Sequence, residues 1–233
     1  KKLIKNNIQS QARVIRYHLL TTFCKKRKIK TMLTAHNLED QVETFFIRLS
    51  RGSGLDGLSS MKQINKISNN INLVRPLLDL KKSKLIQLSK KVFGKYYLDP
   101  SNDDEKYLRI RIRKLKKILE KSGINYDQII KSIKNLASSR DTLDLYLKAI
   151  YKKVVNKKKN EILIKFKEFS CFNREIQMRI FMKSIKDLSN SYYSPRSKKI
   201  LNLVDQIKEN KNTKLTLGGC VIFRQKKHIF LRK

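Results

Sequence analysis

Apolar residues at helical spacing open the chain. Between residues 8 and 24 they recur at intervals that predict an amphipathic helix, at Ile8, Ala12, Ile15, Leu19 and Phe23. A β-leaning run over residues 29–35 predicts a strand that ends just before His36. Asn37 can then cap a second helix over residues 38–49. Helix, strand and helix in this order predict an α/β fold.

The pattern divides the rest of the chain into two parts. INLVRPLL predicts a short buried strand, residues 82–92 predict a helix, and a turn at residues 100–103 leads into a strongly basic helix. Residues 124–155 and 173–208 predict amphipathic helices, with a candidate strand at residues 162–166. The closing KLTLGGCVIFRQKKHIFLRK predicts short strands with turns at residues 218–219 and 225–227. We place a domain boundary near residue 120, between an α/β part and a mainly helical part.

Three glycines in RGSGLDGL fit the G-x-G-x-x-G spacing of a dinucleotide-binding loop: Gly52, Gly54 and Gly57. That loop needs a strand before it and a helix after it. The apolar residues upstream have helical spacing instead, at Val42, Phe45, Phe46 and Leu49. The sequence therefore predicts that these glycines end a helix and form no dinucleotide fingerprint.

The chain is strongly basic. It has 55 Lys and Arg against 19 Asp and Glu, for a net charge of +36 spread along its whole length. Such a field attracts polyanions, and nucleic acid is the first candidate. A general residue bias towards Lys is the alternative origin of the charge, since the chain is also rich in Ile and Asn and has no Trp.

The cysteines and the apolar runs indicate in which cellular compartment the protein works. Cys24, Cys171 and Cys220 lie far apart without any C-x-x-C, so neither a disulfide framework nor a zinc site is implied. No apolar run approaches the ~20 residues of a membrane span, and the start KKLIKNN lacks the apolar core of a signal peptide. We expect a cytoplasmic protein, bacterial or from the interior of an organelle of bacterial descent, without a membrane partner.

Two carboxylates are the first candidates for chemistry. Asp40 and Glu43 stand three residues apart near a helix N-terminus, with His36 one turn earlier. Such a pair could bind a metal ion or orient an amine. Favourable interaction with the helix dipole is the structural alternative.

Several motifs together resemble one family. HNLEDQVET, RLSRGSGLDGL, VRPLL and DPSNDDEKYLRIRIR, in this order and at these intervals, resemble the bacterial tRNA(Ile)-lysidine synthetase family of the PP-loop ATP-pyrophosphatase class. QSQARVIRY and the closing TLGGCVIFR are also similar to that family. The resemblance implies a partial Rossmann-like PP-loop domain, of the adenine nucleotide alpha hydrolase-like fold, over residues 1–120. It implies a mainly helical tRNA-binding domain ending in short strands over residues 121–233.

The resemblance also assigns site residues. It implies a catalytic set of His36, Asp40, Glu43 and Arg109. It implies a substrate-binding set of Arg16, Arg113, Gly52, Ser53 and Gly54. The arginines would hold phosphates, and the carboxylates would hold and deprotonate a lysine. No metal ligands are assigned.

The implied reaction ligates lysine to a tRNA. ATP adenylates the carbonyl oxygen at carbon 2 of the wobble cytidine in a CAU-anticodon isoleucine tRNA, and the side-chain amine of L-lysine then displaces AMP. ATP is therefore a co-substrate, and Mg²⁺ is expected beside its phosphates. The expected partners are the tRNA and L-lysine, with a homodimer as a further expectation.

Some positions depart from the family pattern. Asn37, Glu39 and Ile110 stand where the family has His, Asp and Asn, and Gln9 stands where it often has Glu. The family's ATP loop, S-G-G-x-D-S, is not among these residues. We therefore expect this chain alone to bind ATP poorly, and we expect a further βαβ unit upstream of it.

The sequence is compatible with two other functions. Another PP-loop tRNA enzyme, such as a thiolase-like sulfur transferase, is disfavoured because those acting on cytidine carry C-x-x-C pairs. A non-catalytic basic RNA-binding protein derived from the family is favoured by the missing loop and disfavoured by the retained carboxylates and arginines.

Overall fold

The computed structural model describes residues 8–68, 70–97, 105–189, 195–209 and 214–233. The chain forms two compact units, Lys1–Arg140 and Asp141–Lys233. The first unit extends beyond residue 120 because Tyr126, Ile129 and Ile133 pack against Val42. The predicted turn at residues 100–103 lies outside the described residues.

The first unit alternates helices with a small sheet. Its elements are α1 (Ile8–Lys26), β1 (Thr31–Leu33), α2 (Leu38–Leu49), α3 (Leu55–Leu58), β2 (Ile64–Ser68), β3 (Ile71–Val74), α4 (Lys82–Phe93), α5 (Leu108–Lys114), α6 (Lys116–Lys121) and the first half of α7 (Tyr126–Val154). The sheet has the order β1-β3-β2, with β1 parallel and β2 antiparallel to β3. The predicted α/β fold is confirmed.

Helix α2 forms where the sequence predicts it, for local reasons. The Asn37 side chain accepts a hydrogen bond from the Asp40 backbone N–H, and the Asp40 carboxylate accepts one from the Asn37 N–H. This reciprocal capping box satisfies two backbone donors at the start of the helix. Val42 faces the core and is fully buried. The capped end lies just beyond the carboxyl end of β1, where ligands of parallel sheets gather.

The second unit packs helices against one antiparallel sheet. It contains the rest of α7, β4 (Val155–Lys157), β5 (Glu161–Lys165), α8 (Phe166–Ser170), α9 (Arg174–Ser189), α10 (Ser197–Glu209), β6 (Leu215–Leu217), β7 (Cys220–Gln225) and β8 (His228–Arg232). The strand order is β4-β5-β8-β7-β6, so the candidate strand at residues 162–166 joins the closing strands in one sheet. Positive φ at Gly218, Gly219 and Lys226 forms the two predicted turns.

Cys24, Cys171 and Cys220 are all free thiols. Within the described ranges, no helix is long and apolar enough to cross a lipid bilayer.

Candidate active site

A cavity of about 320 Å³ opens at the carboxyl end of β1. Arg13, Arg16 and Tyr17 of α1 line one side, and residues 32–36 line the other. The Arg13 guanidinium lies 5.3 Å from the centroid of the Tyr17 ring. Two arginines beside one cavity favour an anionic ligand such as a phosphate. The predicted residues Arg16 and His36 therefore share this cavity.

His36 is partly buried at the cavity edge. Its Nδ1 lies 3.0 Å from the Thr34 hydroxyl oxygen. Burial lowers the pKa of His36 below its usual value, while the nearby Asp40 carboxylate acts in the opposite direction. The guanidiniums of Arg75, Arg13 and Arg109 lower this pKa further. The imidazole is therefore mainly neutral near pH 7, able to donate or accept a hydrogen bond.

Glu43 is a buried carboxylate that faces two arginines of α5. Its side chain is only 1% exposed. Arg113 Nε donates to Glu43 Oε1 over 2.8 Å, and Arg109 Nε lies 3.2 Å from Glu43 Oε2. Burial raises the pKa of Glu43, and the two guanidiniums counteract that rise. Glu43 thus joins α2 to α5 and fixes both arginines.

Asp40 sits differently from Glu43. One of its oxygens caps α2, and the other lies 4.0 Å from Arg109 NH1. Its side chain is 20% exposed, so an incoming cation can reach it. Arg109 also donates to the Thr44 hydroxyl over 3.3 Å. The structure therefore brings Asp40, Glu43, Arg109 and Arg113 together, with Asp40 as the more accessible carboxylate.

The glycine loop follows α2, as predicted. Gly52 has φ +64° and its N–H donates to the Leu49 carbonyl, so this glycine ends the helix in the left-handed region. Gly54 precedes the short helix α3. Because a helix and no strand leads into these glycines, they form no dinucleotide fingerprint. The predicted contact of Gly52, Ser53 and Gly54 with substrate stays a prediction.

A buried polar network fixes the glycine loop, and sequence reasoning missed its members. Arg48 donates to the carbonyls of Gly57 and Ser60 over 2.8 and 2.9 Å. Gln41 exchanges two hydrogen bonds with the Met61 backbone. Arg140 donates to the Ser59 hydroxyl over 2.7 Å. These partners lie far apart in sequence, so no local spacing indicates them.

We expect Gly57→Ala to destabilise the first unit by about 1–3 kcal/mol through overpacking. A Cβ at Gly57 would lie 2.4 Å from the Ser53 Cβ, whereas a Cβ at Gly54 would meet no atom within 4 Å. The matched Gly54→Ala variant should therefore stay within about 1 kcal/mol of the parent protein. Urea unfolding of both variants measures the difference, and equal losses would contradict this packing.

The departures from the family pattern have structural roles here. Asn37 caps α2, and a Glu39 carboxylate oxygen accepts from the Lys82 N–H over 2.8 Å at the start of α4. Ile110 is buried in the first unit at 7% exposure. The Gln9 side chain lies outside the described residues.

The described residues do not offer a complete Mg²⁺ site. Within those ranges no group of three His, Cys, Asp or Glu side chains is placed to hold a metal ion. Both oxygens of Glu43 already face guanidiniums, which compete with a metal ion for them.

The chain is similar to known proteins. The PP-loop domain family matches residues 1–120. The chain is 35% identical over 233 residues to a tRNA(Ile)-lysidine synthase of Wolbachia pipientis, covering 99% of this chain and 54% of that protein. It is 46% identical over 116 residues to a tRNA(Ile)-lysidine synthase of Orientia tsutsugamushi, covering 50% of this chain and 26% of that protein.

A solved structure is also similar to the chain. A tRNA thiolase of Methanococcus maripaludis matches with a TM-score of 0.47 and 20% identity, over 58% of this chain and 46% of that one. The chain spans about half the length of the curated relatives that it matches over most of its own length. The match over residues 1–120 shows that the chain belongs to the PP-loop domain family.

Proposed function

We propose that the protein acts as a tRNA(Ile)-lysidine synthetase, a ligase that forms a carbon–nitrogen bond. The observation that carries the proposal is the cavity lined by Arg16 and His36, in a chain similar to proteins named tRNA(Ile)-lysidine synthase. Asp40 and Arg109 are close enough to His36 to act on its pKa. The proposed substrates are ATP, L-lysine and the CAU-anticodon isoleucine tRNA. We propose that the protein works in the bacterial cytoplasm or in the interior of an organelle of bacterial descent; a homodimer stays a prediction.

The first proposed step activates the cytidine. Its carbon-2 carbonyl oxygen attacks the α-phosphorus of ATP, a phosphorus–oxygen bond to the leaving group breaks, and pyrophosphate departs. Positive groups placed before the reaction stabilise the charge that moves onto the phosphates. We assign this role to Arg16, Arg109 and Arg113, of which Glu43 holds the last two in place. His36, mainly neutral, would contact the nucleotide or the reacting base.

The second proposed step transfers lysine. The lysine side chain arrives as an ammonium ion and must lose a proton before its nitrogen can attack carbon 2. Asp40 is the accessible carboxylate, so we propose that it binds this ammonium and accepts the proton. The carbon–nitrogen bond forms, the carbon–oxygen bond to AMP breaks, and AMP leaves.

The two steps can be separated experimentally with the full product of the gene. Pyrophosphate release from ATP should require the isoleucine tRNA but no lysine. AMP release should require lysine as well, because only the amine displaces the adenylate. Pyrophosphate release without tRNA, or AMP release without lysine, would contradict the proposed order.

We further propose that residues 121–233 hold the tRNA through its phosphates. The affinity of the chain for this tRNA should then fall by about 100-fold or more between roughly 50 and 200 mM salt, because each phosphate contact releases a counterion. A filter-binding titration at several salt concentrations measures the slope. An affinity independent of salt would contradict the phosphate contacts.

The expectation that this chain alone binds ATP poorly stays a prediction.

A further inference from the structure

One face of the second unit's sheet carries aromatic and basic side chains. The opposite face supplies buried core residues, among them Ile162, Ile222, Ile229 and Leu231. Because side chains alternate along a strand, Phe223 and Phe230 point away from that core. Both are partly exposed, and Leu163 lies next to Phe230 in the same row across the strands. We call Phe223, Phe230, His228 and Arg232 the aromatic platform.

The two phenylalanine rings of the platform stack on each other. The Phe223 and Phe230 centroids are 5.2 Å apart, and their planes differ by only 8°. The His228 ring meets the edge of Phe230 at a centroid distance of 6.2 Å. Both rings are partly exposed, and the free part of this stacked pair offers stacking area without any hydrogen-bonding group that would select one base over another.

Positive charge surrounds these rings. The Arg232 guanidinium lies 5.2 Å from the Phe223 centroid and 5.7 Å from the Phe230 centroid, and its side chain is 56% exposed. Lys165 lies opposite His228 on the neighbouring strand and is 54% exposed. Lys226 and Lys227 form the adjacent exposed turn. Two carboxylates offset part of this charge: Glu161 pairs with Arg232, and Glu168 lies 3.8 Å from the Lys165 ammonium.

We propose that the aromatic platform is a binding site for unpaired RNA nucleotides. Bases that are free of a duplex stack on aromatic rings and on arginine planes, while lysines follow the phosphates. A duplex hides the faces of its bases, so the platform should discriminate against it. The site lies wholly within the second unit. It would give the protein a contact for single-stranded RNA that is separate from the chemistry proposed for the first unit.

The test uses the whole 233-residue chain. One comparison removes the bases from the RNA, and the other removes the aromatic rings from the protein. Fluorescence anisotropy compares a short labelled RNA strand with a strand of equal length and charge in which abasic ribose units replace the bases. We expect the parent protein to bind the base-bearing strand about fivefold more tightly or better. In a Phe223→Leu/Phe230→Leu variant this preference should shrink towards unity, while duplex binding stays unchanged.

Control variants separate stacking from folding. Phe93→Leu makes the same change at a phenylalanine of α4 that is 73% exposed, and it should keep the preference for bases. Phe223→Tyr/Phe230→Tyr keeps the rings and should keep the preference too. If the leucine variant does not fold, Arg232→Gln in the parent background should reduce the preference instead. An equal affinity of the parent protein for both strands would overturn the proposal, as would an unchanged preference in the folded leucine variant.

Discussion

Replacing Arg109 and Arg113 together by methionine is expected to lower the free energy of unfolding by about 3–5 kcal/mol. The change leaves the Glu43 carboxylate, only 1% exposed, without the two guanidiniums that face it at 2.8 and 3.2 Å. A buried charge without a partner is costly because the protein interior solvates it poorly. Urea unfolding at pH 7 measures the loss.

The pH dependence of this loss identifies Glu43 as its cause. Burial raises the pKa of Glu43 above its ordinary 4.5, and loss of both cations should raise it further. An acid with a raised pKa in the folded state binds its proton more tightly there, so its penalty is fully present above the folded pKa. The difference in stability between variant and parent should therefore shrink as the pH falls towards 4.5.

Two control variants sharpen the same experiment. Adding Glu43→Gln to the methionine variant removes the buried charge and should restore much of the lost stability. Arg111→Met makes the same change on the exposed side of α5 and should cost no more than about 0.5 kcal/mol. A methionine variant as stable as the parent would show that Glu43 does not depend on these arginines.

Asp40→Asn in the full product of the gene is expected to slow lysine transfer by about 100-fold or more. The amide cannot accept the proton from the lysine ammonium, but its oxygen can still accept the hydrogen bond from the Asn37 N–H. The helix cap therefore persists, and loss of the negative charge should cost only about 0.3–1 kcal/mol of stability. Single-turnover transfer from preformed adenylate measures the step directly.

The matched control lies in the same helical turn. Glu39→Gln also removes a charge from the start of α2, but Glu39 faces the N-terminus of α4, and lysine transfer should remain at the parent rate. The affinity for the tRNA should be nearly the same in both variants. Unimpaired transfer in Asp40→Asn would remove Asp40 from the reaction, and a joint loss of tRNA binding would assign it a structural role.

Local sequence signals predicted much of the fold. The bounds of α2 followed from its Asn37 cap and apolar stripe, and the two closing turns followed from glycines and a polar tripeptide. Strand β2 escaped prediction because its sequence, INKIS, mixes polar and apolar residues without clear alternation. Its place depends on antiparallel pairing with β3.

For the site as well, the sequence predicts local features but not the contacts between residues that are distant along the chain. Helical spacing selected Glu43 and the resemblance to a family selected Arg113, but their pairing joins residues 70 positions apart and depends on how α5 packs against α2. Burial of Glu43 separates its role from that of Asp40, and a spacing of three residues cannot reveal this. Likewise, the need for glycine at position 57 comes from the approach of Ser53, which only the folded loop shows.

The most direct test of the proposed activity is the nucleoside composition of the tRNA after reaction. The full product of the gene is incubated with ATP, isotopically labelled lysine and either the CAU-anticodon isoleucine tRNA or a methionine tRNA with the same anticodon. We predict labelled lysidine at the wobble position of the isoleucine tRNA only, and only when ATP is present. Unmodified cytidine in the isoleucine tRNA, under conditions in which the protein binds it, would contradict the proposed function.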